Sequence, residues 1–401
     1  MENGKTKMNA ILIRNGNVVT PDQILAGHDV RIGDGRIVGI GVGLAVRDGD
    51  TVIDAAGAWV APGFVDLHSD YIERVTAPRP TSLMNFTLAL RVAERELLTH
   101  GITTMFHSLS FYGRNDFGAN PVRSVENSRR LIDLIERSHE SEHQIRHRFH
   151  ARFEIDNLER VDELKNLITA GKVHLLSLMD HSPGQGQYRD LELYKIILQG
   201  YRKLGEGEVE AIIAESRGRA KVPFETLREM AALARAQGIS VASHDDDTVA
   251  KLDVVQGLGS NISEFPITLE VAREARRRGL ETVAGAPNVL LGGSHSGNLS
   301  AAEAVSEGSV DILCSDYYPA AMLHSVFQLH RNNGLPLIDA FRLVTLHPAR
   351  AVGLAEDLGS VETGKKADLL VIRTLQDGTP YVETALVDGH VLLSTSYRSQ
   401  P

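Results

Sequence analysis

Only one cysteine, Cys314, stands in 401 residues. A single thiol rules out an internal disulfide and a thiolate metal cluster, and it agrees with a reducing, cytoplasmic address. Long apolar runs are missing too. No stretch approaches the ~18 residues of a membrane span, and residues 1–8 lead into alternating residues rather than an apolar signal core. Positive charge is in deficit, with 42 Lys and Arg against 52 Asp and Glu. The net −10 argues against a general nucleic-acid or anionic-membrane surface and leaves room for a local cationic pocket. Aromatic residues are scarce, and the one tryptophan, Trp59, is expected in the core where two units join. Repeats, low-complexity tracts and long linkers are absent. What remains is the composition of a globular protein, in a chain long enough for a large barrel with an accessory domain.

Residues 10–60 alternate apolar and polar with Gly turns, and Asp34-Gly35 is a strong hairpin signal. Residues 367–372 and 382–393 read the same way. Two β-rich ends predict one small β-sandwich domain built from 1–61 plus 347–401. Between them, short apolar strands alternate with amphipathic helices. Strands are expected at 64–70, 102–109, 147–155, 173–181, 239–244, 261–265, 282–287 and 310–316, with helices such as 124–141, 161–170 and 223–237. Eight strands alternating with helices is the pattern of an α/β fold, a (β/α)8 TIM-like barrel over 62–346. Region 205–220 reads as a further strand or a lid loop.

In such a barrel the chemistry collects at the C-terminal strand ends. The polar residues there are His68, Asp70, His107, Glu154, Asp180, His181, His244, Glu264 and Asp316. His68 and Asp70 close the run Ala61-Pro-Gly-Phe-Val-Asp-Leu-His-Ser-Asp70 and, two apart on a strand, would face one side. An isolated pair of this kind is more often an ordinary buried hydrogen bond. Five or six metal-capable groups at one end are better explained by shared divalent cations, which relieve the cost of burying each. His107 fits either an approach to the metals or a barrel-floor cap.

Resemblance sharpens this reading. Pro62-Gly-Phe-Val-Asp-Leu-His68, Gly101-Ile-Thr-Thr104, Cys314-Ser-Asp316 and Gly364-Lys-Lys-Ala-Asp-Leu-Leu-Val371 resemble the amidohydrolase superfamily. That superfamily implies a metal-dependent hydrolase barrel with a split β-sandwich. Its ligand order maps onto His68 and Asp70, Glu154, His181, His244 and Asp316. Asp70 stands where the pattern has a second His, and Glu154 where many members carry a modified Lys, one strand earlier by count. Met179-Asp-His-Ser-Pro-Gly-Gln-Gly-Gln187, Ala242-Ser-His-Asp-Asp-Asp-Thr248, Ser263-Glu-Phe-Pro266 and Gly292-Gly-Ser-His-Ser-Gly-Asn298 are similar to a narrower branch. It is the PhnM family, diphosphatases of the carbon–phosphorus lyase pathway. The resemblance implies hydrolysis of α-D-ribose 1-methylphosphonate 5-triphosphate to the 5-phosphate and pyrophosphate.

For that reaction two divalent ions (zinc, manganese or iron) are expected. His68, Asp70 and Asp316 would hold one ion, His181 and His244 the other, with Glu154 between them and Asp316 also the general base. Asp245 would orient a ligating imidazole. Arg152, on the inward face two residues before Glu154, is the expected phosphate clamp. Ser294 and His295, in a Gly-rich loop after the seventh strand, and Gln185 would add substrate contacts. The partner is then a phosphorylated ribose phosphonate, with no nucleic acid or membrane, and a homodimer is the default assembly. The alternatives are an amidohydrolase of a cyclic amide, N-acyl or amino-heterocycle substrate, and a silent scaffold. Cys314 reads as barrel packing, His347 as a helix boundary, and His139 to His143 as a polar helix end.

Overall fold

The computed structural model describes residues 10–79, 81–111, 120–202, 204–293 and 298–398. Sixteen strands run through the described residues. The first five are β1 (Ile11–Val19), β2 (Ile24–Gly33), β3 (Arg36–Gly41), β4 (Thr51–Asp54) and β5 (Trp59–Pro62). Eight more follow as β6 (Phe64–Ser69), β7 (Ile102–Phe111), β8 (Arg146–Glu154), β9 (Leu175–Met179), β10 (Ser240–His244), β11 (Ile262–Glu264), β12 (Glu281–Gly285) and β13 (Ile312–Cys314). The last are β14 (Leu369–Thr374), β15 (Pro380–Val387) and β16 (His390–Ser394).

Strands β6 to β13 pair in parallel, in chain order, as one eight-stranded sheet. A parallel bridge between Ser69 and Asp316 joins its two ends. All eight expected barrel strands are therefore present, Glu154 indeed ends the third, and helices at Val125–Arg137, Val161–Thr169 and Phe224–Ala236 stand where expected. Val65, Leu67, Phe106, Leu175, Ala242, Ile262, Val283, Ile312 and Cys314 fill the interior as one buried cluster. This is a packed core rather than a pore, and Cys314 belongs to it as expected.

Both ends of the chain meet in the second sheet, ordered β16-β15-β14-β5-β1-β2-β3 with β4 beside β1. At its second hairpin, between β2 and β3, Asp34 and Gly35 both take positive φ, 49° and 77°, the geometry of a two-residue hairpin turn. Alternate residues of β14 enter different cores. Leu370 and Ile372 pack with the barrel's outer helices, and Leu369 and Val371 with Ile13, Val30, Val60 and Leu386. Trp59 packs on the first of these clusters, at the expected junction. The Arg146 guanidinium pairs there with Asp368 and Asp388.

Region 205–220 is neither strand nor loop. It carries the helix Glu206–Arg217, because Val209 and Ile213, four apart, pack on Tyr194 and Leu198 of the preceding helix Leu191–Tyr201.

Candidate metal centre

Strand β6 does not end in the regular alternation that the sequence suggests. Asp66 pairs with Met105 and Ser69 with His107, three steps on β6 against two on β7, so β6 carries a bulge at residues 67–68. The extra residue re-aims a side chain, and His68 is buried against His150, His244 and Phe265. Asp70 lies past the strand, at the residue before the helix Tyr71–Thr76, and its side chain makes no capping hydrogen bond. His68 and Asp70 are therefore not strand neighbours on one face. Backbone pairing brings Asp70 in instead, since its N–H donates to Asp316 O at 3.0 Å and Asp316 N–H to His68 O at 2.9 Å.

Strand β8 is regular, and period two places three polar residues in rising order. His150 lies 2.6 Å from Ser177 Oγ, Arg152 Nη2 lies 3.4 Å from His244 Nε2, and Glu154 contacts His181 Nδ1. The expected inward face for Arg152 is thus what the packing gives. Its Nε also donates to Met179 Sδ at 3.3 Å.

The imidazoles meet above this ladder. Ring centroids of His68 and His244 are 5.4 Å apart, and those of His181 and His244 are 5.3 Å apart. Asp245 Oδ2 sits 3.2 Å from His244 Nδ1 and 3.4 Å from His181 Nε2. Two triads could each hold an ion, His181–His244–Asp245 and His68–His244–Glu264, with ligand atoms within 4.8 Å of one another. His244 is common to both. The donor set fits divalent cations, since Asp70 Oδ1 is buried without a hydrogen-bond partner and Asp245 Oδ2 faces two imidazole nitrogens that are themselves metal-capable. Glu154, Asp70 and Asp316 fall in neither triad.

Burial dominates the electrostatics. It drives His68 well below the usual imidazole range, helped by the Arg152 charge, and takes His150 to about 3, so both rings are neutral with a lone pair to offer. Burial also raises Asp316 to about 7, with the Asp70 charge adding to it. At Asp245 burial pulls upward, but His244 and His181 outweigh it and hold the carboxyl well below its ordinary value. Asp245, Phe265 and Asp316 take positive φ of 52°, 55° and 55°. Left-handed backbone in non-Gly residues is strained and collects at functional sites; here all three positions lie just past barrel strands.

Other expected residues lie elsewhere. Gln185 is exposed on a turn, where Gly186 N–H donates to Asp247 Oδ2 at 2.9 Å and ties that loop to the strand end carrying Asp245. Ser294 and His295 lie outside the described residues. His107 points outward, its Nε2 2.9 Å from His147 Nδ1, and His147 Nε2 lies 3.2 Å from Glu94 Oε2, so His107 braces a helix and does not approach the centre. Asp180 pairs with Lys221 at 2.6 Å. His347 holds Asp311 O at 2.9 Å at the start of its helix. Glu264 stands among the metal-capable strand-end residues read from the sequence but without a specific role, and His150 is not among them. Period two along β8, counted back from Glu154, was the signal for His150.

A profile of the Amidohydrolase family matches residues 59–392. The alpha-D-ribose 1-methylphosphonate 5-triphosphate diphosphatase of Escherichia coli K12 is 36% identical over 323 residues, 80% of this chain and 84% of that protein. Adenine deaminase 3 of Rhizobium meliloti is 24% identical over 95% of this chain but 57% of its own length. Among solved structures, the N-acetylglucosamine-6-phosphate deacetylase of Pasteurella multocida superposes with a TM-score of 0.62 at 14% identity, covering 95% of this chain and 99% of its own.

Proposed function

The chain belongs to the amidohydrolase family, and from that premise we propose that it hydrolyses α-D-ribose 1-methylphosphonate 5-triphosphate to the 5-phosphate and pyrophosphate. The observation that carries this is the 36% identity to the diphosphatase over four-fifths of the chain. The gathering of imidazoles and carboxylates at one barrel mouth supports it.

In this reading His68, His181, His244, Asp70, Glu154 and Asp316 would hold two divalent ions, zinc being the first to test, and Asp245 and Glu264 are further metal-capable groups beside the imidazoles. Such ions supply water activation and neutralise phosphate oxygens when bound. The chain's own groups do the rest. Asp316, buried beside Asp70, takes the proton of the attacking water; a carboxyl held near neutrality suits that transfer. Arg152, rising beside Glu154, offers a fixed guanidinium to a phosphate oxygen. Gln185, Ser294 and His295 are assigned to outer contacts with the sugar and phosphates. Among the described residues no helix is long and apolar enough to cross a membrane. We assign the enzyme to the cytoplasm as a homodimer, which light scattering tests.

The direct test is phosphorus NMR of the zinc-loaded protein with the ribose phosphonate triphosphate. Pyrophosphate release is expected. Orthophosphate alone would redirect the reading to loss of the terminal phosphate, and an inert triphosphate would favour an amide or amino-heterocycle substrate.

A further inference from the structure

Below the barrel mouth, where apolar side chains would ordinarily fill the interior, an unbroken line of polar groups crosses the core. Ser69, Ser108, His150, Ser177 and Glu264 have no exposed surface, and His68 is 2% exposed. Six polar residues buried together carry a cost of ~1–3 kcal/mol for each one left unsatisfied. Each of them is satisfied, and in only one direction.

The direction follows from Glu264. The Ser177 hydroxyl donates to Glu264 Oε2 at 2.5 Å, the carboxyl oxygen being the acceptor. With its proton committed, Ser177 Oγ must accept, so His150 carries its proton on Nε2, 2.6 Å away. A neutral ring protonated there has a bare Nδ1, which takes the Ser108 hydroxyl at 3.0 Å. Ser108 Oγ in turn accepts the Ser69 backbone N–H at 3.1 Å. At the other end, Glu264 Oε1 lies 3.2 Å from His68 Nδ1 and accepts a hydrogen bond from its N–H.

We infer that Glu264 is a positioning residue that locks His68 as the Nδ1–H tautomer and leaves Nε2 as the nitrogen for a divalent cation, with Ser177, His150 and Ser108 fixing Glu264 in turn. This rests on the reading that His68 holds a cation. A carboxylate behind a ligating imidazole fixes the ring and raises its basicity. Here the brace spans β11, β9, β8 and β7, so the orientation of one ligand is set by half the barrel. The near-isosteric Glu264→Gln is a severe change in these terms. Its amide puts a donor either against His68 Nδ1, forcing the wrong tautomer, or against Ser177, reversing every bond down to Ser108.

The test uses the full chain stripped of metal. Zinc affinity is measured by competition with a chromophoric chelator, and the His68 tautomer by 15N NMR of histidine-labelled protein, assigned with His68→Gln. Wild type is expected to show Nδ1–H. Glu264→Gln is expected to bind zinc ~10–100-fold more weakly, to regain full stoichiometry at high zinc, and to shift His68 toward Nε2–H. Ser177→Ala, which loosens Glu264 Oε2 but leaves Oε1 against His68 Nδ1, is expected to keep Nδ1–H and to weaken zinc binding by less, and it carries the test if Glu264→Gln does not fold. Wild-type zinc affinity in either variant, or Nε2–H at His68 in the wild type, would overturn the inference. Loss of a whole zinc equivalent at saturation in Glu264→Gln would also overturn it, by making Glu264 a ligand itself. Neither readout involves substrate. An inert triphosphate would therefore sink the diphosphatase reading and leave this one standing.

Discussion

Asp316 joins three roles in one residue. Its backbone closes the barrel against Ser69, its φ is left-handed, and its buried carboxyl is raised to about 7. Asp316→Asn keeps the shape and removes the proton acceptor. The expected outcome is a fall in kcat of ~10²–10⁴-fold, measured by steady-state kinetics at saturating zinc because Asp316 is also assigned to an ion; undiminished turnover would remove the proton-transfer role. His174 tests the electrostatics far from the ions. Burial, then the Arg148 and His139 charges, lowers it to about 4, and its Nδ1 accepts the Phe149 N–H at 3.1 Å. The unfolded chain binds a proton below about 6.5 that the folded chain refuses until about 4. Its contribution is therefore present above pH 6.5 and lost as pH falls toward 4. His174→Gln removes that dependence. Urea unfolding at pH 7.5 and 5 is expected to show a shallower loss in the variant, by up to one proton or ~1.4 kcal/mol per pH unit.

At the scale of elements, what the sequence made legible follows from what each strand touches. Parallel barrel strands are covered on both faces, so they read as short apolar runs, and all eight were visible. The bulge in β6 was not. One extra residue leaves the composition unchanged, and period two then misassigns the faces of His68 and Asp70. The helix Glu206–Arg217 was obscured for a related reason. It is rich in glutamate and packs on another inserted helix, so its apolar stripe is short. Glu154, His181 and His244 stood at strand ends and were found by position. The deeper brace at Glu264 needed the cross-barrel distances. Close packing also marks where β6 begins. A Cβ on Gly63 would lie 2.1 Å from Thr103 Oγ1 and 2.5 Å from its Cγ2. Gly63→Ala is expected to cost ~1–3 kcal/mol, seen as a lower urea midpoint, with the ladder between β6 and β7 exchanging its amide hydrogens faster.

Over the whole molecule, the two sheets are held together by a shared apolar cluster and by one buried cation. Arg146, the first residue of β8, pairs with Asp368 and Asp388 of the terminal sheet, and burial pushes the Asp368 carboxyl up despite that pairing. Removing the cation strands a buried charge. Arg146→Met is expected to lose ~3–5 kcal/mol, and adding Asp368→Asn to recover part of it. Trp59, the one indole, lies at this junction, so its fluorescence during urea unfolding measures both variants directly.

The split sheet also sets the order of events at birth. Residues 11–62 leave the ribosome some three hundred residues before β14, the strand that hydrogen-bonds to β5, has been made. At typical synthesis rates of roughly 5–20 residues per second, that is a wait of about 15–60 s. Throughout it an unpaired apolar edge faces the cell, a surface that invites chaperones and mispairing between neighbouring nascent chains. Expression yield in this fold should therefore follow translation speed and chaperone supply more closely than it follows the stability of the finished protein.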